Sequence, residues 1–254
     1  MAKKLIAFDL DDTLAVTKTP ITDRMGELLV ALLDNYDVCV ISGGRFEQFK
    51  IQIIDRLEAT PSKLSRMHLM PTCGTRYYRY DQLKKEWAIQ YSEDLTEAEK
   101  KKIGDVLEAT AKEFNIWPEK PYGDVIEDRG SQVTYSALGQ QAPAQLKYAW
   151  AKENAELKLK LRTRIAAQLP ELEVRLGGTT SVDVTRIGID KAYGMHKLLD
   201  VLDASKEEIL FLGDKLQEGG NDYPVKAMGI DCIEVDGWEE TALVLQGILA
   251  VTPN

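Results

Sequence analysis

Asp9 and Asp11 stand two apart at the end of the apolar run Ile6-Ala7-Phe8, with Leu10 between them and Asp12-Thr13 following. At the end of a strand, residues two apart lean to the same side, while the one between points into the core. Two carboxylates so placed repel unless a cation lies between them, and the hard oxygen donors suit Mg²⁺. The chain repeats the design in Ile209-Leu-Phe-Leu-Gly-Asp214, then adds Asn221-Asp222 after a glycine-containing loop. A second apolar run, Val38-Cys-Val-Ile41, ends in Ser42-Gly43-Gly44, where small residues let backbone amides approach an anion. Lys191 sits on an adjoining segment and supplies a positive charge.

Each of these is bland alone, since an Asp-x-Asp-x-Thr string also makes an Asx-turn and Ser-Gly-Gly is a common strand-to-helix turn. Together they make a phosphoryl-transfer site, where catalysis is mostly positioning and charge neutralisation. Asp9 is the candidate nucleophile, forming an aspartyl phosphate, and Asp11 the general acid–base. Asp9, Asp11, Asp214 and Asp222 are the candidate Mg²⁺ ligands, Asp222 from the second shell, and Ser42, Gly43 and Lys191 hold the phosphate.

The elements that must position these groups are legible in the hydrophobic pattern. Short apolar runs without polar alternation read as strands covered on both faces, as in parallel sheets, whose ligands bind beyond the carboxyl ends of the strands. Thr22 caps a helix with the stripe Met25, Leu28, Leu29, Leu32 and Leu33. A further helix runs through Phe46, Phe49, Ile53 and Leu57, and Leu69 to Gly74 reads as a third strand and turn. Asp190 caps a helix carrying Lys191 in its first turn, Gly229 to Val235 gives a last strand, and Trp238 to Leu249 a closing helix.

From about Tyr77 to Val184 the character changes. A helix begins at Thr96, whose capping box uses Glu99, and buries Ile103, Val106, Leu107 and Phe114. A second starts near Pro143 and runs as one element through Leu146, Trp150, Leu157, Leu161 and Ile165 to Pro170. Residues 125–129, 132–136, 173–176 and 181–184 alternate polar with apolar, as in an antiparallel sheet with one open face. The fold class read here is α/β, a Rossmann-like core with a parallel sheet plus an inserted α+β cap. The core takes residues 1–80 and 188–254, and the cap 81–187.

The formal charge of −9, without a long basic run, argues against a nucleic-acid surface. Three scattered cysteines, Cys39, Cys73 and Cys232, fit a reducing compartment and argue against a structural zinc site. The N-terminal apolar run stops at Asp9, too early for a signal peptide or membrane span, so a cytoplasmic protein is expected. His68 and His196 lie outside every motif and read as packing or surface residues, and Trp87, Trp117, Trp150 and Trp238 as core or contact residues.

Phe8-Asp9-Leu10-Asp11-Asp12-Thr13-Leu14, Ile41-Ser42-Gly43-Gly44, Lys191 and Gly213-Asp214 through Asn221-Asp222 resemble the four motifs of the haloacid dehalogenase (HAD) superfamily. The insert between the second and third motifs is similar to the type IIB cap, and within that group Gly213 to Asp222 and Gly177 to Val184 resemble eukaryotic-type phosphomannomutase. The resemblance implies a phosphosugar substrate, Mg²⁺, a cap that gates the site, and a homodimer through the cap. It places the substrate on Lys18, Arg129, Lys147, Ser181 and Asp183.

The chain departs from that family where Asp12 replaces glycine, and where Lys18, Gln140 and Lys147 stand for arginines of the phosphate clamp. Lysine and glutamine lack the bidentate fork. A mutase must retain a bisphosphate while a phosphatase need only admit water, so the expected function is a Mg²⁺-dependent phosphosugar phosphatase or phosphotransferase. Phosphomannomutase is the alternative, and a non-catalytic phosphosugar-binding module is the third reading.

Overall fold

Leu5, Ile6, Ala7 and Phe8 are all buried and form β1 (Leu5–Phe8). The computed structural model describes residues 2–252, and β1 lies inside its larger sheet, between β10 and β2. α1 (Asp23–Leu32) follows with Thr22 accepting from the Met25 amide, then β2 (Asp37–Ile41), α2 (Phe46–Gln52), the short α3 (Pro61–Leu64) and β3 (Met67–Met70). The hairpin β4 (Arg76–Asp81) and β5 (Glu86–Ser92) comes next.

An inserted segment holds α4 (Glu97–Glu113), β6 (Ile126–Asp128), β7 (Gln132–Ser136), α5 (Ala144–Glu153), α6 (Ala155–Gln168), β8 (Leu172–Leu176) and β9 (Ser181–Arg186). The chain then resumes with α7 (Lys191–Leu202), β10 (Ile209–Gly213), α8 (Tyr223–Ala227), β11 (Asp231–Glu234) and α9 (Trp238–Val251).

Two units result, one of Glu93–Ile189 and one of the flanking segments. Among the described residues the flanking unit has a seven-stranded sheet in the order β11-β10-β1-β2-β3-β4-β5. β11 through β3 are parallel, while β4 and β5 are antiparallel additions at one edge. Alternate residues of β1 and β2 feed two cores. Ile6, Phe8, Val38 and Val40 pack with α1 and α9, and Leu5, Ala7, Cys39 and Ile41 pack with Met195 and Leu198 of α7. A sheet so covered leaves the carboxyl ends of its parallel strands as the place where polar chemistry can collect.

The boundary between the units falls at 92/93 and 189/190, not at 80/81 and 187/188. β5 stays paired with β4, Tyr80 opposite Trp87, and Trp87 packs on the core of the flanking unit. The long helix expected from Pro143 to Pro170 is two helices. Asn154, at φ −119° and ψ 20°, turns its side-chain amide onto the Trp150 carbonyl at 3.0 Å and breaks the ladder there, as asparagine does when it competes for backbone partners. The helix expected to reach Leu57 stops at Gln52, because Ile53 sits at φ −123° and ψ −62° and only a 3₁₀ turn follows. The capping box at Thr96 and Glu99 is present in full.

The inserted unit has a four-stranded antiparallel sheet, β6-β7-β9-β8. Val133, Tyr135, Val182, Val184 and Val174 face a core completed by Ile103 and Leu107 of α4 and Leu161 and Ile165 of α6. In the paired register Thr134 lies opposite Asp183 and Ser136 opposite Ser181, so the alternation read from sequence puts these polar groups together on the other face. Trp117 and Trp150 pack on this unit's core and Trp238 on that of the flanking unit.

His68 is a packing residue, fully buried on β3, with Nδ1 2.8 Å from the Tyr77 hydroxyl and Nε2 3.7 Å from Asp37 Oδ2. Burial pushes its pKa below the usual histidine value, against the pull of Asp37. The unfolded chain therefore binds the histidine proton at a higher pH than the native one does, so this group stabilises the fold above pH 6.5 and that contribution shrinks as the pH falls below it. Urea denaturation between pH 5 and 7.5 is expected to show that His68→Gln removes this part of the slope; equal slopes in the two proteins would contradict the assignment.

Candidate active site

Asp9 leaves the end of β1 with its amide bonded to the Leu212 carbonyl of β10 at 3.0 Å. Leu10 beside it is fully buried, as the spacing requires. Lys191 opens α7, whose N-cap Asp190 accepts from the Tyr193 amide at 2.9 Å. The Lys191 ammonium lies 2.6 Å from Asp9 Oδ1 and 2.5 Å from Asp222 Oδ1, with side-chain exposures of 1%, 5% and 0% for the three groups. Asp222 Oδ2 accepts from the Lys215 amide at 3.1 Å. A Cβ on Gly213 would come within 2.6 Å of that oxygen, so only glycine lets Asp222 fold against the end of β10.

Asp214, next along the chain, pairs one oxygen with the Lys215 ammonium, while its Oδ1 is buried without a hydrogen-bond partner. One oxygen each from Asp9, Asp214 and Asp222 lies within 4.8 Å of the others. An orphaned buried carboxylate oxygen, in an all-oxygen donor set with more negative charge than Lys191 offsets, fits a hard divalent cation.

The electrostatics agree. Burial raises the Asp9 carboxyl to about 8; Lys191 opposes this, and Asp222 and Asp214 reinforce it. Burial disfavours the Lys191 ammonium, but Asp222 and Asp9 outweigh it and hold the pKa above the usual lysine value. Asp214 is likewise raised, by burial against the pull of Lys215. A cation bound in this cluster would displace a proton to solvent from a carboxyl that burial keeps protonated.

Asp11 lies apart from that cluster. Its carboxylate meets the Lys18 ammonium at 3.0 Å, accepts from the Lys18 amide at 2.9 Å, and accepts from the side-chain amides of Gln52 at 3.1 Å and Gln48 at 3.4 Å. Burial alone would raise its pKa, yet Lys18 and Gln52 outweigh burial and hold it below the usual carboxylate range. Its oxygens are thus engaged by Lys18, Gln48 and Gln52, and the carboxylates that gather within 4.8 Å of one another are those of Asp9, Asp214 and Asp222. Lys18 is a partner of Asp11 here.

Gln48 and Gln52 were not singled out from the sequence. Their spacing of four on α2, one turn beyond Ser42-Gly43-Gly44, is the signal that could have found them. Asp12 sits at φ 63°, the left-handed region that favours glycine. Its carboxylate accepts from the Thr17 amide at 3.0 Å and its own amide donates to the Ala15 carbonyl at 2.7 Å, so the loop holds that conformation from both sides.

Ser42 is buried just past β2, and its Oγ accepts from the Gly44 amide at 3.2 Å. The turn Thr72-Cys73-Gly74 pins the Ser42-Gly43-Gly44 stretch. Its Thr72 and Cys73 amides donate to the Gly44 and Ser42 carbonyls, both at 3.0 Å, and all three residues have positive φ. Gly74 is needed there, since a Cβ would meet the Gly194 Cα of α7 at 2.4 Å. This turn thus ties the serine–glycine stretch to the helix that carries Lys191.

Four sequence-expected substrate residues lie in the inserted unit. Arg129 is buried, with Nε donating to Glu127 at 2.6 Å and Nη2 to the Gln140 side chain at 3.2 Å. Lys147 is also buried and donates to the Gln140 carbonyl at 2.8 Å. Asp183 accepts from the Thr134 hydroxyl at 2.8 Å, and Ser181 opens β9 opposite Ser136. Glu127 escaped the sequence reading, although its place two residues before Arg129 on an alternating strand was the clue.

The sequence profile of the family described as eukaryotic phosphomannomutase matches residues 25–249. Phosphomannomutase 2 of Dictyostelium discoideum is 29% identical over 229 residues, covering 86% of this chain and 84% of its own. The probable phosphomannomutase of Caenorhabditis elegans is 23% identical over 237 residues, covering 89% and 87%. Among solved structures, the Plasmodium falciparum IMP-nucleotidase superposes with a TM-score of 0.72 at 15% identity over 99% of this chain and 70% of its own. A haloacid dehalogenase-like hydrolase from Bacteroides thetaiotaomicron gives 0.61 at 16% identity over 97% and 99%. Both structures share the fold.

Proposed function

Because this chain belongs to the eukaryotic phosphomannomutase family, within the HAD superfamily, we propose that it is a phosphohexomutase that interconverts hexose 1- and 6-phosphates through an aspartyl phosphate on Asp9. The observation that carries the reading is the Asp9–Lys191–Asp222 cluster beside the orphaned oxygen of Asp214. The sequence alone favoured hydrolysis; the family match over residues 25–249 favours the mutase.

In the phosphorylated protein the ionised Asp11 takes the proton of a sugar hydroxyl. The freed oxygen attacks phosphorus, the bond from phosphorus to Asp9 breaks, and a bisphosphate forms. For the return step the bisphosphate presents its other phosphoryl group to Asp9. The Asp9 carboxylate attacks it, the bond to the sugar oxygen breaks, and Asp11 returns its proton to that oxygen. Lys191 keeps Asp9 in place and offsets charge through both steps. A divalent cation, Mg²⁺ in this reading, would be held by Asp9, Asp214 and Asp222 and would neutralise charge on the phosphoryl oxygens. Ser42 and Gly43 would hold the phosphate being transferred, and Lys18, Arg129, Lys147, Ser181 and Asp183 the rest of the sugar phosphate.

A phosphatase is the second reading, favoured by one observation. Lys147 and the Gln140 carbonyl are bonded to each other where two arginine forks would grip a second phosphate. Among the described residues no helix is long and apolar enough to cross a membrane. A cytoplasmic location, the absence of a nucleic-acid partner and a homodimer through the inserted unit complete the proposal.

Incubation with a hexose 1,6-bisphosphate and Mg²⁺, followed by hydroxylamine trapping and peptide mapping, is expected to place an acyl phosphate on Asp9. Chelation of the metal is expected to abolish both trapping and turnover. Trapping elsewhere, or turnover unaffected by chelation, would sink the reading.

A further inference from the structure

Lys158 lies outside every motif, yet it is only 7% exposed. Its place on α6 is three residues before Leu161 and seven before Ile165, both fully buried, so it occupies the apolar face of the helix. From there its ammonium reaches three successive carbonyl oxygens, those of Gly177 at 3.4 Å, Gly178 at 2.5 Å and Thr179 at 3.1 Å. An ammonium has three donors and no acceptor, so one side chain can gather a whole turn of backbone. A lysine is seldom buried unless such bonds satisfy it.

The gathered residues are the connection from β8 to β9, and that connection folds back onto the start of β9. The Gly177 amide donates to the Ser181 carbonyl at 2.9 Å. A Cβ on Gly177 would come within 2.6 Å of Asp183 Oδ2 and 2.9 Å of the Ser181 Cβ. On the other side the Thr180 hydroxyl lies 3.1 Å from that of Ser136, and the Thr180 carbonyl accepts from the Ala137 amide at 3.2 Å. The loop that Lys158 holds is therefore packed directly against Ser181 and Asp183.

We propose that Lys158 is a positioning residue for substrate recognition: by clamping the carbonyls of residues 177–179 it fixes Ser181 and Asp183 for the hydroxyls of a phosphosugar. The proposal rests on the functional reading above and deepens it, because it makes a buried cation of the inserted unit a determinant of which phosphosugar is accepted. The chemistry itself does not pass through Lys158.

Lys158→Met keeps the apolar stem and removes the three donors. Hydrogen exchange of the Gly177 and Ala137 amides, both bonded within this loop, is expected to quicken by about ten-fold or more, while the amides of β1 and β10 are unchanged. The KM for the hexose phosphate is expected to rise about ten-fold with kcat within about three-fold of wild type, as when an interaction common to ground and transition states is lost. Turnover of p-nitrophenyl phosphate, which has no sugar hydroxyl to place, should be unaffected. Lys158→Arg, which keeps the charge and the donors, should recover most of both effects and serves also if the methionine variant does not fold.

Unchanged exchange in Lys158→Met would overturn the clamp. Faster exchange with an unchanged KM would overturn its role in recognition, and equal losses for both substrates would reduce it to a structural residue. A wild-type protein that turns over no phosphosugar would overturn the functional reading, while the exchange comparison would still judge the clamp.

Discussion

Asp9→Asn is expected to abolish turnover, by roughly 10⁴-fold or more, and at the same time to leave the metal-free protein as stable as the wild type or more so. The two effects have one cause. Asp9 is buried among carboxylates that outnumber Lys191, and its pKa is raised from 3.8 to about 8. Between those values the native state holds a proton that the unfolded chain has lost. Stability contributed by this group is therefore fully present below pH 3.8 and is lost as the pH rises through about 8. Asparagine has no such proton to lose, so the variant's melting temperature at pH 8 should equal or exceed that of the wild type. Calorimetry at pH 5 and 8 without metal, beside a turnover assay, checks both halves. A variant that keeps its activity refutes the nucleophile, and one that is destabilised at pH 8 refutes the electrostatic account.

Lys191→Met should show the reverse pairing, with activity and stability lost together. The ammonium is the nearest cation to two buried carboxylates, Asp9 and Asp222. Removing one partner of such an arrangement leaves uncompensated buried charge, a loss of about 3–5 kcal/mol. Asp9 takes up a proton as the pH falls, so the loss should be largest at pH 8 and smaller at pH 5. Denaturant unfolding at the two values measures it. A penalty that does not depend on pH would mean that Lys191 acts through packing alone.

Much of this site could be read from the chain because the parallel sheet converts local pattern into position. An apolar run that ends in a carboxylate, as at Asp9 and Asp214, marks a strand end, and parallel strands bring all their carboxyl ends to one edge. Ser42 followed from the same rule, Lys191 from its place in the first turn of the helix that Asp190 caps, and the caps at Thr22, Thr96 and Asp190 from side-chain spacing. What escaped depends on contacts across long separations or on polar residues in unremarkable places. Gln52 reaches Asp11 across 41 positions, and Lys158 hides on the apolar face of a helix whose stripe was read from Leu157, Leu161 and Ile165. β5 was assigned to the wrong unit because an antiparallel edge strand alternates like the strands of the insert that follows. The break at Asn154 was missed because the hydrophobic period runs through it, while the asparagine's own amide settles the matter locally.

Phosphorus NMR of the protein with Mg²⁺ and either mannose 1-phosphate or glucose 1-phosphate, with and without the matching 1,6-bisphosphate, tests the central claim most directly. The account predicts that the 6-phosphate signal grows at the expense of the 1-phosphate, depends on the bisphosphate, and is accompanied by little inorganic phosphate. Steady release of inorganic phosphate without the 6-phosphate would contradict the mutase and establish the phosphatase in its place.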